Sequence, residues 1–233
     1  MEIFIGIALG TSLPAPLLAA FGGIAVALVI AVFAYKGPGG TPVLTIVLVG
    51  IGAGFTATAM ATFLMSSMPG PAAAEAQRWL TGSLAARDWG HASQVTAIGL
   101  ILAFVALGQA RTLSAVELGD TLAKGLGVNA EAARWRSAGT AVLLAATGVA
   151  VAGPVPFIAL MAGPVGVRMT RARSVSARMI SGAGAGALIL VLADLVARAS
   201  ISGIQLPAGG ATGLLGAPYL LWCLSREMER GDL

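Results

Sequence analysis

The run "PVLTIVLVGIGAGFTATAMATFLMSS", from Pro42 to Ser67, carries no charged residue and no alternation of apolar and polar positions. It is longer than the roughly 20 residues that a helix needs to cross a hydrocarbon layer. Inside lipid every backbone N–H and C=O must find its partner within the protein, which leaves helices and closed barrels. A barrel strand alternates over about 10 residues; this run is continuously apolar, and it reads as a membrane helix.

The rest of the chain agrees. Of 233 residues, 57% are hydrophobic and 10% charged, with a mean hydropathy of +0.89. A soluble domain carries about 25% charged residues, and a chain of this size cannot bury so much apolar surface around one core. Further apolar runs lie at about 16–35, 93–110, 137–152, 179–198 and 210–225, with shorter ones at 2–13 and 154–168. The expectation is an all-α polytopic transmembrane bundle of about seven or eight membrane helices, forming one domain over residues 1–233. Only "AGP" separates 154–168 from its predecessor, so it pairs tightly with that span or forms a shorter helix buried in protein. The opening "MEIFIGIALGTSLP" lacks a basic leader and reads as part of a span, not as a signal peptide.

Charge orients the set. Arg168, Arg171, Arg173 and Arg178 surround one short connection with no acidic residue inside it, and such a cluster marks the cytoplasmic side. Alternation outward puts Lys36 and both termini on that side, and 68–92 and 199–207 outside. Trp79 and Trp89 on the outer side, with Tyr35, Trp135 and Trp222 near the inner ends, fit interfacial belts. The net charge of +4 does not indicate nucleic acid, because the basic residues sit at span ends. Gly50 and Gly54, Gly182 and Gly186, and Gly209 and Gly213 repeat at a spacing of four, which lets helix backbones approach where lipid supplies no hydrophobic drive. "SGAGAGA" (181–187) lacks the preceding strand and later acidic residue of a dinucleotide loop, and reads as helix contact.

Candidate chemistry is sparse. Cys223 is the only cysteine and His91 the only histidine, so no metal set is visible and no cofactor is expected. Met60, Met65 and Met68 read as gap-filling side chains. No nucleophile triad, carboxylate pair or phosphate loop is present, and the chain does not read as an enzyme. Asp194 is costly within a span and needs a partner; Arg198, one turn on, supplies it in the favourable acid-first order. This is either a structural ion pair or a guanidinium turned outward to an acidic partner. One polar segment interrupts the grease: "SAVELGDTLAKGLGVNAEAARWRS" (114–137). Leu118, Leu122 and Leu126 recur every four residues beside Asp120 and Lys124, which by residues alone is either a solvated loop or an apolar ridge laid in a partner's groove.

Six motifs in order then carry a resemblance: "LVGIGAG" (48–54), "WLTGSLAARDWG" (79–90), "LGDTLAKGLGV" (118–128), "VAGPVPFIALMAGPVGVRM" (151–169), "ADLVAR" (193–198) and "QLPAGGATGLLGAPYLLW" (205–222). The chain resembles the FecCD-type permeases of ATP-driven importers for ferric siderophores, haem and cobalamin. Val165 and Gln205 depart from a His and a Glu frequent in the family, and "VPFIALMAGP" looks more like the ferric-enterobactin-type branch. The match begins inside the family's third span, so the resemblance implies that this chain lacks the first two.

The resemblance also implies roles. Residues 113–130 would be a cytoplasmic coupling segment that docks on an ATPase subunit through Leu118, Gly119, Asp120, Leu122, Gly125, Leu126 and Gly127. Arg198 would meet an external substrate-binding protein. Thr41 and Thr45 would belong to the gate, and Gly50 and Gly54 to the translocation path. Two ATPase subunits, a second permease subunit and a ferric siderophore as cargo complete the expectation, in a bacterial cytoplasmic membrane. Two alternatives stay open: a secondary transporter driven by an ion gradient, and a non-transporting remnant or assembly subunit.

Overall fold

In the computed structural model the described residues are 43–82, 84, 88–199, 216–219, Gly22, Ala25, Gly209, Gly210, Thr212, Gly213, Leu221 and Ser225. Among them every regular element is a helix: α1 (Val43–Ser66), α2 (Gly70–Leu80), α3 (Trp89–Gly108), α4 (Ala110–Glu117), α5 (Asp120–Gly125), α6 (Ala130–Ala152), α7 (Pro156–Thr170) and α8 (Val175–Ala199). Among the described residues three stretches are long and apolar enough to cross a membrane: Leu48–Ser66, Ala130–Ala152 and Val175–Arg198. The pair α3–α4 qualifies as a fourth when taken as one span bent by 43°. These are the runs expected at 42–67, 137–152, 179–198 and 93–110. The runs at 2–13 and 16–35 and most of 210–225 lie outside the described residues, as do Tyr35, Lys36, Gln205, Trp222 and Cys223.

Two boundaries differ from expectation. Helix α6 begins at Ala130, not near 137. Asn129 caps it by accepting the Ala132 N–H on Oδ1 at 3.1 Å, and polar residues extend a helix beyond the apolar part that hydropathy detects. The segment "NAEAARWRS" therefore caps and begins the membrane-length helix itself. The stretch 68–92, expected as an outer connection, contains α2. Pro71 in its first turn and the "AAAEAQ" that follows are good helix material.

The described chain divides into two compact units, residues 1–77 with 89–151, and residues 78–88 with 152–233. In the first, α3 breaks at Gln109 into α4, which leads through Leu118 and Gly119 into α5. The second is built on the antiparallel hairpin α7–α8. Arg171, at φ 51, ends α7 in the left-handed conformation. Ser174 opens α8, its Oγ accepting the Ala177 N–H at 3.2 Å. Small residues form the seam. Gly166 lies against the Ser181 carbonyl so closely that a Cβ would overlap it, Gly182 faces the Gly163 backbone, and Gly186 faces Ala162 and Ile158. The Gly182/Gly186 pair thus does let two helices approach. Leu160 on α7 stays 56% exposed, so this short helix is not enclosed within its own unit. Gly209 and Gly213 meet other things. Gly209 abuts the Thr81 carbonyl and donates its N–H to the Gly82 carbonyl at 3.1 Å. A Cβ at Gly213 would stand 3.3 Å from the Phe157 ring.

Candidate functional site

The polar interruption folds as two short helices joined to the start of a long one. Leu118 caps α4 and Gly119 begins the next element at φ 96 and ψ 157, a backbone state open in practice to glycine alone. At the other end Gly127, at φ 76, closes α5. Its N–H reaches the Lys124 carbonyl and the Val128 N–H the Ala123 carbonyl, each at 2.9 Å. This crossed pair of bonds satisfies carbonyls that a helix end leaves open.

The spacing of the leucines does not run along one helix, as the sequence pattern suggested. The break at Gly119 leaves Leu118 at the end of α4, while Leu122 and Leu126 belong to α5 and its cap. All three are nonetheless exposed, at 59%, 60% and 63%. The small residue of α5, Ala123, is completely buried. This short helix is inverted: its methyl side chain points inward and its large apolar side chains face out. Gly125 is not at a turn, and a Cβ there would meet nothing within 4 Å.

Asp120 opens α5 and is bound by Arg134 of α6 through two contacts, Nη2 to Oδ1 at 2.6 Å and Nη1 to Oδ2 at 3.2 Å. The hydrogen bonds from Arg134 hold the Asp120 carboxyl below the usual carboxylate range, with the nearby positive charges of Arg134 and Lys124 adding to them. A second tie lies at the 43° bend. Gln109 Nε2 donates to Thr140 Oγ1 of α6 at 2.8 Å, and that hydroxyl donates to the Arg136 carbonyl at 2.9 Å. Arg134, Gln109 and Thr140 escape the sequence reading, because neither pair shares a helical period.

Elsewhere, Arg198 Nε donates to Asp194 Oδ2 at 2.7 Å. The Asp194 side chain is 22% exposed and that of Arg198 66%. The ion pair exists, and most of the Arg198 side chain stays exposed beside it. The cation also sits in the last turn of α8, where the helix dipole favours it. Thr41 lies outside the described residues, and of Thr45 only the backbone is described, in α1. Gly50 and Gly54 lie in α1, and Gly54 has open space around its Cβ position. Their line continues through Thr58, whose hydroxyl donates to the Gly54 carbonyl at 2.9 Å, and Thr62, which donates to the Thr58 carbonyl at 3.0 Å. The donors are spent on the helix's own backbone, leaving a small face with acceptors only.

The FecCD transport family model matches residues 2–226. A probable siderophore transport system permease protein of Bacillus subtilis (strain 168) is 32% identical over 209 residues, covering 90% of this chain and 60% of the relative. The ferric enterobactin transport system permease protein of Escherichia coli (strain K12) is 33% identical over 211 residues, covering 90% and 62%. The chain thus spans about three-fifths of the length of these curated relatives. A solved structure of a metal-chelate type ABC transporter in an inward-facing conformation superposes with a TM-score of 0.82 at 24% identity, covering 96% of this chain and 72% of that one. At that identity the match speaks for the fold.

Proposed function

The chain belongs to the FecCD transport family, and from that premise we propose that it is the membrane-spanning permease of an ATP-binding-cassette importer for iron chelates, with a ferric siderophore as cargo. The working assembly sits in a bacterial cytoplasmic membrane. It adds two cytoplasmic ATPase subunits, a second permease subunit and an external substrate-binding protein. The permease binds and conducts; ATP is hydrolysed on the partner.

One observation carries the reading: around α5 the small Ala123 is buried, while Leu122, its cap Leu126 and Leu118 at the end of α4 are exposed. Water-facing leucines on so short a helix cost free energy unless a partner covers them. A groove in an ATPase subunit is the partner this reading supplies. The bare Gly125 adds room for close approach. Arg198 meets an acidic side chain of the binding protein at the outer end of α8. The path is lined by α1, with Thr41 and Thr45 at its gate and Gly50 and Gly54 along it. ATP binding closes the ATPase pair, the segment 113–130 takes up that motion, and the permease alternates between inward and outward openings.

Gly125→Asp combined with Leu126→Asp tests this. A Cβ at Gly125 meets nothing within 4 Å and Leu126 is largely exposed, so membrane insertion and monodispersity should match the parent. Co-purification of the ATPase should be lost. An unchanged yield of ATPase on the double variant would refute the dock.

A further inference from the structure

Helix α5 is flanked by two swivels. Gly119 and Gly127 both have positive φ, and neither has a neighbour within 4 Å of its Cβ position. Six residues are too few to persist as a helix without outside support. The orientation of α5 therefore depends on what binds it laterally: packing on the side of the buried Ala123, and a two-pointed polar contact, Asp120–Arg134.

The two ties described above are nested, 120–134 inside 109–140, and both end on α6. Both Asp120 and Arg134 are half exposed, and exposed ion pairs contribute little to stability. What a bidentate guanidinium–carboxylate contact does fix is direction, because two parallel N–H···O bonds hold two planes together. The partner it engages is the helix that continues into the membrane, Ala130–Ala152.

We infer that Arg134 is a positioning residue: it seats α5 on α6, so that displacement of the exposed leucines is passed to α6 and not dissipated by rotation about Gly119 and Gly127. Gln109–Thr140 is the second tie, linking the α3–α4 bend to the same helix. The inference rests on the reading of α5 as the ATPase contact, and separates from it by experiment.

The test uses the complete importer, with ATPase and binding protein, reconstituted in vesicles. Arg134→Gln should leave ATPase co-purification and the rate of ATP hydrolysis within twofold of the parent. Substrate delivered per ATP should fall at least tenfold. Arg134→Lys, which keeps the charge and loses the fork, should fall at least threefold. Amide exchange over 120–126 should quicken in Arg134→Gln. Delivery per ATP within twofold of the parent in Arg134→Gln overturns the inference. So does loss of ATPase co-purification in that variant, since Arg134 would then shape the dock and not transmit through it. Failure of the dock itself shows separately, as co-purification that survives Gly125→Asp with Leu126→Asp.

Discussion

Helix α8 and helix α1 each carry two glycines at a spacing of four, and the surroundings of Gly182 and Gly186 differ from those of Gly54. Gly182 and Gly186 face α7, which fills the space their missing side chains leave. Gly54 in α1, and Gly52 beside it, face nothing within 4 Å. The same contrast separates Gly166, pressed on the Ser181 carbonyl, from Gly125 in α5, which stands clear. One set of glycines is consumed by the chain's own fold. The other stands in open space among the described residues. A small-residue repeat therefore signals close approach, and only its surroundings tell whether the approach is structural or functional.

The largest effect expected from this contrast is at the seam. Gly166→Leu forces a side chain into a backbone carbonyl, a form of overpacking that costs about 3 kcal/mol or more where neither helix can retreat. The folded fraction after mild heating in detergent, followed by size-exclusion chromatography, should collapse. Gly54→Leu adds the same atoms and should leave that profile unchanged while lowering uptake about tenfold. Equal thermal losses in the two variants would erase the distinction.

A smaller effect is expected at the C-terminal end of α8. Arg198→Glu should weaken binding of the external binding protein about tenfold at low salt. The difference should shrink as ionic strength rises, since screening shortens the reach of exposed charges. If affinity is unchanged at low salt, Arg198 serves Asp194 alone.

The smallest concerns pH. The Asp120 carboxyl is held below its ordinary range by Arg134. A carboxylate with a depressed folded pKa contributes fully above its unfolded value, and the contribution is lost as pH falls through the folded one. Protection of α5 amides, corrected for intrinsic exchange, should thus be flat from pH 8 to 5 and decline only below the normal carboxylate range. A decline already at pH 6 would show that another group governs the seat of α5.

Where sequence reasoning succeeded, the physics was one-dimensional. Continuous apolar runs such as 42–67 and 179–198 must become helices in lipid, whatever lies beside them. Asp194 and Arg198, one turn apart on one helix, could be paired on spacing alone. Six ordered motifs sufficed for the family. Where it fell short, the determinant was local capping or a contact between distant residues. Asn129 starts α6 earlier than hydropathy suggests, and Gly119 breaks the leucine repeat between two helices.

The sequence by itself determined the solvent, the helical class and the family, because composition, span length and motif order do not depend on how the helices meet. Only the tertiary structure decided which glycines are filled, which leucines stay bare, and that Arg134 and Thr140 of α6 hold the short helix and the bend. Those outcomes depend on pairs such as 120 with 134, 109 with 140 and 166 with 181, and no period along the chain encodes a distance between them.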